Sequence, residues 1–157
     1  ILIYNKIKCF RNRMRKMPKE KKKKSTIKNN EPKFQINQNL LENRGVSFQY
    51  MIASRLQEIG KVAEKDMMNI KLSELLSICS QVKKESELFI MPGNTLGEAI
   101  FKTFLLNKNK PLTLRQLQSI LTDAWVDVLH LKNLSDEVLL NWLGADNQYC
   151  VNQILSD

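Results

Sequence analysis

The chain has 157 residues, enough for one domain with an appended arm. Its formal charge of +9 is unevenly spread: residues 1–33 hold thirteen Lys and Arg against Glu20 and Glu31, a net +11, while residues 34–157 hold twelve against fourteen acids, a net −2. Three widely spaced cysteines argue against a disulfide scaffold and for a reducing compartment, and no apolar run reaches the roughly 20 residues needed to span a bilayer, so no transmembrane segment is expected.

Residues 1–16, ILIYNKIKCFRNRMRK, contain no acid and mix apolar with basic side chains. They read as an organellar presequence, a membrane-surface helix or upstream sequence, with Met14 and Met17 as alternative starts. Residues 17–33 form a charge run with almost nothing to bury, hence a disordered segment. Within it Pro18-Lys19-Glu20 followed by Lys21, Lys22, Lys23 and Lys24 resembles a basic nuclear-import signal, which Arg11, Arg13, Arg15 and Lys16 would make bipartite. A solvated solubility tail is the plainer alternative. Residues 34–45, rich in Asn and Gln, read as a linker, so that 1–44 form a disordered basic tail and linker and 45–157 a helical domain.

The helical pattern begins near Ser47, with Met51, Ile52, Leu56, Ile59, Val62 and Ala63 at spacings of three and four, and predicts a helix to about Ala63. A second helix is predicted from Leu72 to Lys84, carrying Leu72, Leu75, Leu76, Cys79 and Val82 on one stripe. Leu88 to Met91 reads as a strand or a buried extended connector. Three further helices complete the pattern. Thr95 with Glu98 and Thr113 with Gln116 both fit a capping box, in which the two side chains satisfy orphan amides at a helix start, and Ser135 precedes Asp136 and Glu137 in the same role. The inner faces are Leu96, Ile100, Phe101, Phe104 and Leu105; then Leu114, Leu117, Ile120, Leu121, Trp125 and Val128; then Val138, Leu139, Trp142 and Leu143. Gly144 is the expected stop of the last helix, and Asn147 to Leu155 alternate weakly enough for one strand.

The run TLGEAIFKTFLLNKNKPLTLRQLQSIL, an apolar helix and a basic-Pro-Leu joint leading into a second helix, is similar to the start of HARE-type domains, small winged helix-turn-helix units. The resemblance covers residues 93–157 and implies a three-helix winged-helix-like unit; with the two helices predicted before it, the expected fold is mainly α, a two-helix N-terminal part packed on that unit. The resemblance also implies a binding role in transcription, chromatin or RNA-polymerase assemblies. The sequence departs from a DNA-reading unit in two ways. The helix that should enter the major groove opens on Asp136 and Glu137, which repel phosphates, with Asn141 alone having a base reader's chemistry. The chain also stops short of a two-stranded wing. Contacts with protein fit this unit better.

Candidate chemistry is sparse. His130 stands alone without a Cys nearby, so it makes no metal site, and helix-end packing is its simplest role. Asp123 and Asp127, four apart, lie on a solvated helix face rather than in a polar pocket. Cys79 falls on an apolar stripe and reads as a small core residue, and Cys150 has no local His partner. With no phosphate loop, nucleophile elbow or zinc spacing, no cofactor, metal or catalytic residue is expected and enzyme activity is not. Trp125 reads as core. The LLNWL run holds more apolar bulk than one face of a short helix can hide, making Leu139, Leu140, Trp142 and Leu143 the candidate partner-binding residues.

The expected protein is thus non-enzymatic and nuclear, of transcription or chromatin, its helical body binding a protein partner. Its tail lysines, Lys19 and Lys21 to Lys24, would supply import and non-specific nucleic-acid attraction. The alternative is an assembly subunit without a nucleic-acid role, organellar if residues 1–16 are a presequence; oligomeric state stays open.

Overall fold

The computed structural model describes residues 31–155. The tail lysines Lys19 and Lys21 to Lys24, with everything expected of residues 1–16, lie outside the described residues. The described part is mainly helical with a small three-stranded sheet. In chain order it comprises β1 (Lys33–Ile36), α1 (Gln38–Asn43), α2 (Phe48–Glu58), α3 (Leu72–Val82), α4 (Ser86–Phe89), α5 (Leu96–Leu106), β2 (Leu112–Thr113), α6 (Leu114–Ala124), α7 (Asp136–Gly144) and β3 (Val151–Ile154). Single 3-10 turns occupy Glu64–Asp66 and Lys83–Glu85, and a longer one covers Val126–Leu131. None of the described helices is long and apolar enough to cross a membrane.

The expected linker is the main correction. Residues 34–45 hold β1 and α1, and β1 is the middle strand of the sheet, antiparallel to β2 on one side and β3 on the other. Its alternation explains the placement: Phe34 and Ile36 enter the core while Lys33 and Gln35 face out, the period-two pattern of a half-buried strand. Asn37 then caps α1 through its side chain, accepting from the Leu40 amide, and Gly45 at φ +75° ends that short helix.

Helix α2 begins as expected, with Ser47 capping Tyr50, but stops at Glu58 rather than Ala63. Gly60 adopts φ +70°, so it terminates the helix. Helix α3 carries Leu75, Cys79 and Val82 inward. Of the segment expected as a strand or connector, Leu88 to Met91, the first two residues end a helical turn and Ile90 and Met91 lie beyond it as a connector, with Phe89 and Ile90 fully buried.

Helix α5 is the axis of the fold. Gly97 and every residue from Ala99 to Leu106 are buried, the signature of a helix enclosed on all sides, and α3, α6 and β1 pack around it. The chain leaves α5 through Lys108 and Asn109, both left-handed at φ 56° and 54°. Helix α6 then starts on a complete capping box between Thr113 and Gln116. It ends at Ala124, earlier than Val128, because tertiary anchors hold the residues beyond it. The Trp125 indole N–H donates to the Met91 carbonyl at 3.0 Å, and the Lys132 ammonium donates to the Pro92 carbonyl at 2.7 Å while lying 4.2 Å from the Trp125 ring. Ser135 caps α7 as expected.

Asn109 fastens the loop after α5 to β1. Strand β2 pairs only with Lys33 and Phe34, and beyond it the buried Asn109 side chain takes over that side of the ladder. Its Oδ1 accepts from the Ile36 amide and its Nδ2 donates to the Ile36 carbonyl, both at 3.1 Å. The Asn109 amide donates to Phe104 at 2.7 Å, and its carbonyl accepts from Gln35 Nε2 at 2.6 Å. Asn109→Ala strands both Ile36 groups in the core and is expected to lower urea-unfolding stability by about 2–4 kcal/mol. Lys108→Gly, relieving a left-handed residue with an exposed side chain, should cost nothing or stabilise by up to about 1 kcal/mol. An Asn109→Ala midpoint equal to wild type would refute the clamp.

Candidate functional site

Two polar constellations stand out, and only one is open. The closed one surrounds Glu98. The Thr95 hydroxyl accepts from the Glu98 amide as a capping box requires, but the Glu98 carboxylate does not return to the Thr95 amide. Tertiary partners hold it instead. Arg55 of α2 grips it with two bonds, Nε to Oε1 at 2.8 Å and Nη2 to Oε2 at 2.9 Å, and the Tyr149 hydroxyl donates to Oε2 at 2.8 Å. The Lys102 ammonium lies 3.7 Å from Oε1, donates to Asn94 Oδ1 at 3.3 Å and stands over the Phe89 ring.

Burial alone would raise the Glu98 carboxyl, but the Arg55 and Tyr149 hydrogen bonds with the Arg55 and Lys102 charges outweigh it, holding the acid below its usual range. Burial pulls Lys102 down against the opposing pull of Glu98, and burial with the neighbouring carboxylate pushes Tyr149 up. No buried side-chain polar atom among the described residues lacks a partner. Each group is already bonded, so the cluster staples α2, α5 and the turn before β3 together. Gly97 belongs to the same joint: a Cβ there would lie 2.9 Å from Trp142 Cζ2 and 3.1 Å from the Tyr149 ring.

The residues singled out from sequence divide between core and surface. Leu139 and Leu143 are buried in the core, which corrects their assignment as partner-binding: α7 turns them inward, as its spacing of four demands. Leu140 remains exposed, and Trp142 is half-buried against Tyr149, ring centroids 6.3 Å apart. Trp125 is core, as expected. His130, Asp123 and Asp127 are exposed. Burial pushes the Cys79 thiol up to about 12, so it stays protonated and inert, and Cys150 is buried and shifted the same way.

The open constellation was missed by sequence reasoning. The three strands contain no acid, and no acid occurs between Glu98 and Asp123. Exposed Lys108 and Lys110 flank Asn109, exposed Lys33 lies opposite Thr113 of β2, and exposed Arg115 opens α6 beside Glu31 at 3.5 Å. Next to this basic corner, a hollow of about 420 Å³ runs between the start of α1 and β3, lined by Gln35, Asn37, Gln38, Asn39, Asn152 and Gln153 with Asn109 at its edge. The available signal was the combination of an Asn- and Gln-rich segment with an acid-free stretch 24 residues long, from Ala99 to Thr122. No family model, curated protein or solved structure matches the chain.

Because Glu98 is held below the ordinary carboxylate range, its contribution is fully present above the unfolded value, near pH 4, and is lost as pH falls through the lower folded value. Glu98→Gln should lower stability at pH 7 by about 2–4 kcal/mol and flatten the acid limb of stability against pH, measured by urea unfolding from pH 7 to pH 2. An unchanged acid limb would show that the carboxylate is not the group titrating there.

Proposed function

We propose that this chain is a non-enzymatic nuclear protein of transcription or chromatin, in which a lysine-rich tail and the basic corner of the sheet attract nucleic acid together while the helical body engages a protein partner. The observation that carries the reading is the position of β1. As the middle strand it sets Lys33 opposite Thr113, two residues before Arg115, and Asn109, flanked by Lys108 and Lys110, bonds to its Ile36. In this reading the tail lysines and the lysines around the sheet contribute to the same attraction.

In this reading α5, β2, α6, α7 and β3 constitute a winged-helix-like unit. The order helix, strand, helix, helix, strand supports it, as does the pairing of β3 with β1 from the N-terminal side. The acidic first turn of α7, with Asp136 and Glu137 exposed, disfavours that helix as a major-groove reader. Nucleic acid therefore meets the sheet corner. The protein-contact half rests on apolar side chains left outside the core: Val126 at 67% and Leu131 at 72% exposure beside the Trp125 anchor, and Leu140 at 43% on α7.

The test replaces Lys19, Lys21, Lys22, Lys23 and Lys24 by Gln in the full chain and measures binding to a labelled duplex by fluorescence anisotropy across a salt series. Each phosphate left without its lysine should lower the log–log salt slope by about 0.9, so the five together remove up to about 4.5. A C-terminal fluorescent fusion of the same variant should lose nuclear accumulation. Unchanged slope and affinity would overturn the nucleic-acid role, and a wild-type fusion resident in the cytosol or an organelle would favour the assembly-subunit alternative.

A further inference from the structure

Beyond electrostatic attraction, the hollow beside β1 and β3 offers a set of side-chain amides to a ligand. We propose that it seats an unpaired nucleobase of a single-stranded nucleic acid, its edge met by Gln38, Asn39, Asn152 and Gln153 and its flanking phosphates by Lys33, Lys108 and Lys110; the assignment rests on the nucleic-acid reading above.

The chemistry of the lining points there. The side-chain amides of Gln38, Asn39, Asn152 and Gln153 make no hydrogen bond to any described residue, so each offers a donor and an acceptor to a ligand. Amides of this kind pair with nucleobase edges, which carry the same two functions side by side. The strands hold no acid, Lys33 lies opposite Ile154 at the hollow, and Lys108 and Lys110 flank Asn109 at its edge, while Glu31, two residues before Lys33, is engaged with Arg115. A sugar or neutral peptide would gain nothing from that charge, whereas a phosphodiester gains at each contact.

Shape favours a single strand over a duplex. Duplex grooves are read by a convex helix or ribbon entering the groove, but these amides lie on the walls of a recess of about 420 Å³. A recess takes in a base whose edges are free, and Ile154 supplies an apolar wall for the ring face. On the side of the lysines the recess is tied down, because the two hydrogen bonds between the Asn109 side chain and the Ile36 backbone fasten their loop to β1.

The experiment uses the full chain and labelled 12-nucleotide DNA and RNA single strands of one mixed sequence, with the DNA duplex of that sequence as comparison, at fixed salt. The paired substitution Asn152→Ala with Gln153→Ala should weaken single-strand binding about tenfold while changing duplex binding less than about twofold, and should leave the salt slope intact. Lys108→Ala with Lys110→Ala should instead lower the single-strand slope by about 1.4. Gln38→Ala with Asn39→Ala, outside the sheet, should repeat the first loss and guards against a folding artefact in β3. The two single strands separate RNA from DNA as the source of the base. Wild-type single-strand affinity in both amide variants would overturn the seat while the broader reading survives on the tail lysines. Equal losses for duplex and single strand would overturn the single-strand assignment. A wild-type chain that binds no nucleic acid would overturn both readings.

Discussion

The fold depends on one side chain standing in for a strand. Where β2 runs out after two residues, the Ile36 amide and carbonyl still point toward the loop that leaves α5, inside the protein. A buried amide or carbonyl without a partner costs about 1–3 kcal/mol, and here two adjacent ones would be orphaned. Asn109 satisfies both. Aspartate has no donor, and glutamine is one methylene longer, so the match in reach and polarity is narrow. The left-handed backbone of Asn109, tolerated by Asn more readily than by most residues, aims that amide at β1. The same bonds fix the neighbouring lysines against the strand, so the architecture and the basic corner share a cause.

Helix α5 faces the opposite difficulty: enclosed on all sides, it still carries a carboxylate and an ammonium. Burying a charge is tolerable only when paired and hydrogen-bonded, and Glu98 is met by a bidentate guanidinium, a phenol and a nearby ammonium. The energetic return of such a cluster over an apolar replacement is small. Its geometric return is larger, because Arg55 comes from α2 and Tyr149 from the turn before β3, so the carboxylate accepts one arrangement of three segments. Tyr149 in turn stacks on Phe101 at 4.9 Å, and Gly97 lets Trp142 close the joint. The half-exposed LLNWL helix is thereby a lid on a polar staple, which is why half of its apolar residues were never available to a partner.

What the sequence made legible was local. The caps at Ser47, Thr113 and Ser135 and the stripes of α3 and α5 arise from residues within a few positions of one another, and the chain realises them. Apart from the end of α2, which Gly60 sets locally, the failures involve distant partners. Thr95 and Glu98 matched a capping box in spacing, but Arg55, 43 residues away, competes for the carboxylate and wins. Helix α6 was drawn too long because the Trp125 bond to Met91, 34 residues upstream, is invisible in a periodicity. Strand β1 offered only Phe34 and Ile36 as apolar residues within an Asn- and Gln-rich run, a composition shared with linkers. Its identity as a strand exists only in its pairing with segments more than seventy residues downstream.

That missed strand also changes what the net charge means. A body carrying −2 overall looked unsuited to polyanions, but a ligand responds to charges within about 8 Å at physiological salt rather than to a sum over the molecule. The acids of α7 and of the end of α6 belong to other elements, whereas around the sheet Lys33, Lys108, Lys110 and Arg115 are opposed by Glu31, and that acid is engaged with Arg115. Sign is therefore a local property here, set by topology. Moving β1 from a linker into the centre of the sheet sets Lys33 opposite Thr113, two residues before Arg115, so basic side chains gather around the sheet of a body whose net charge is negative.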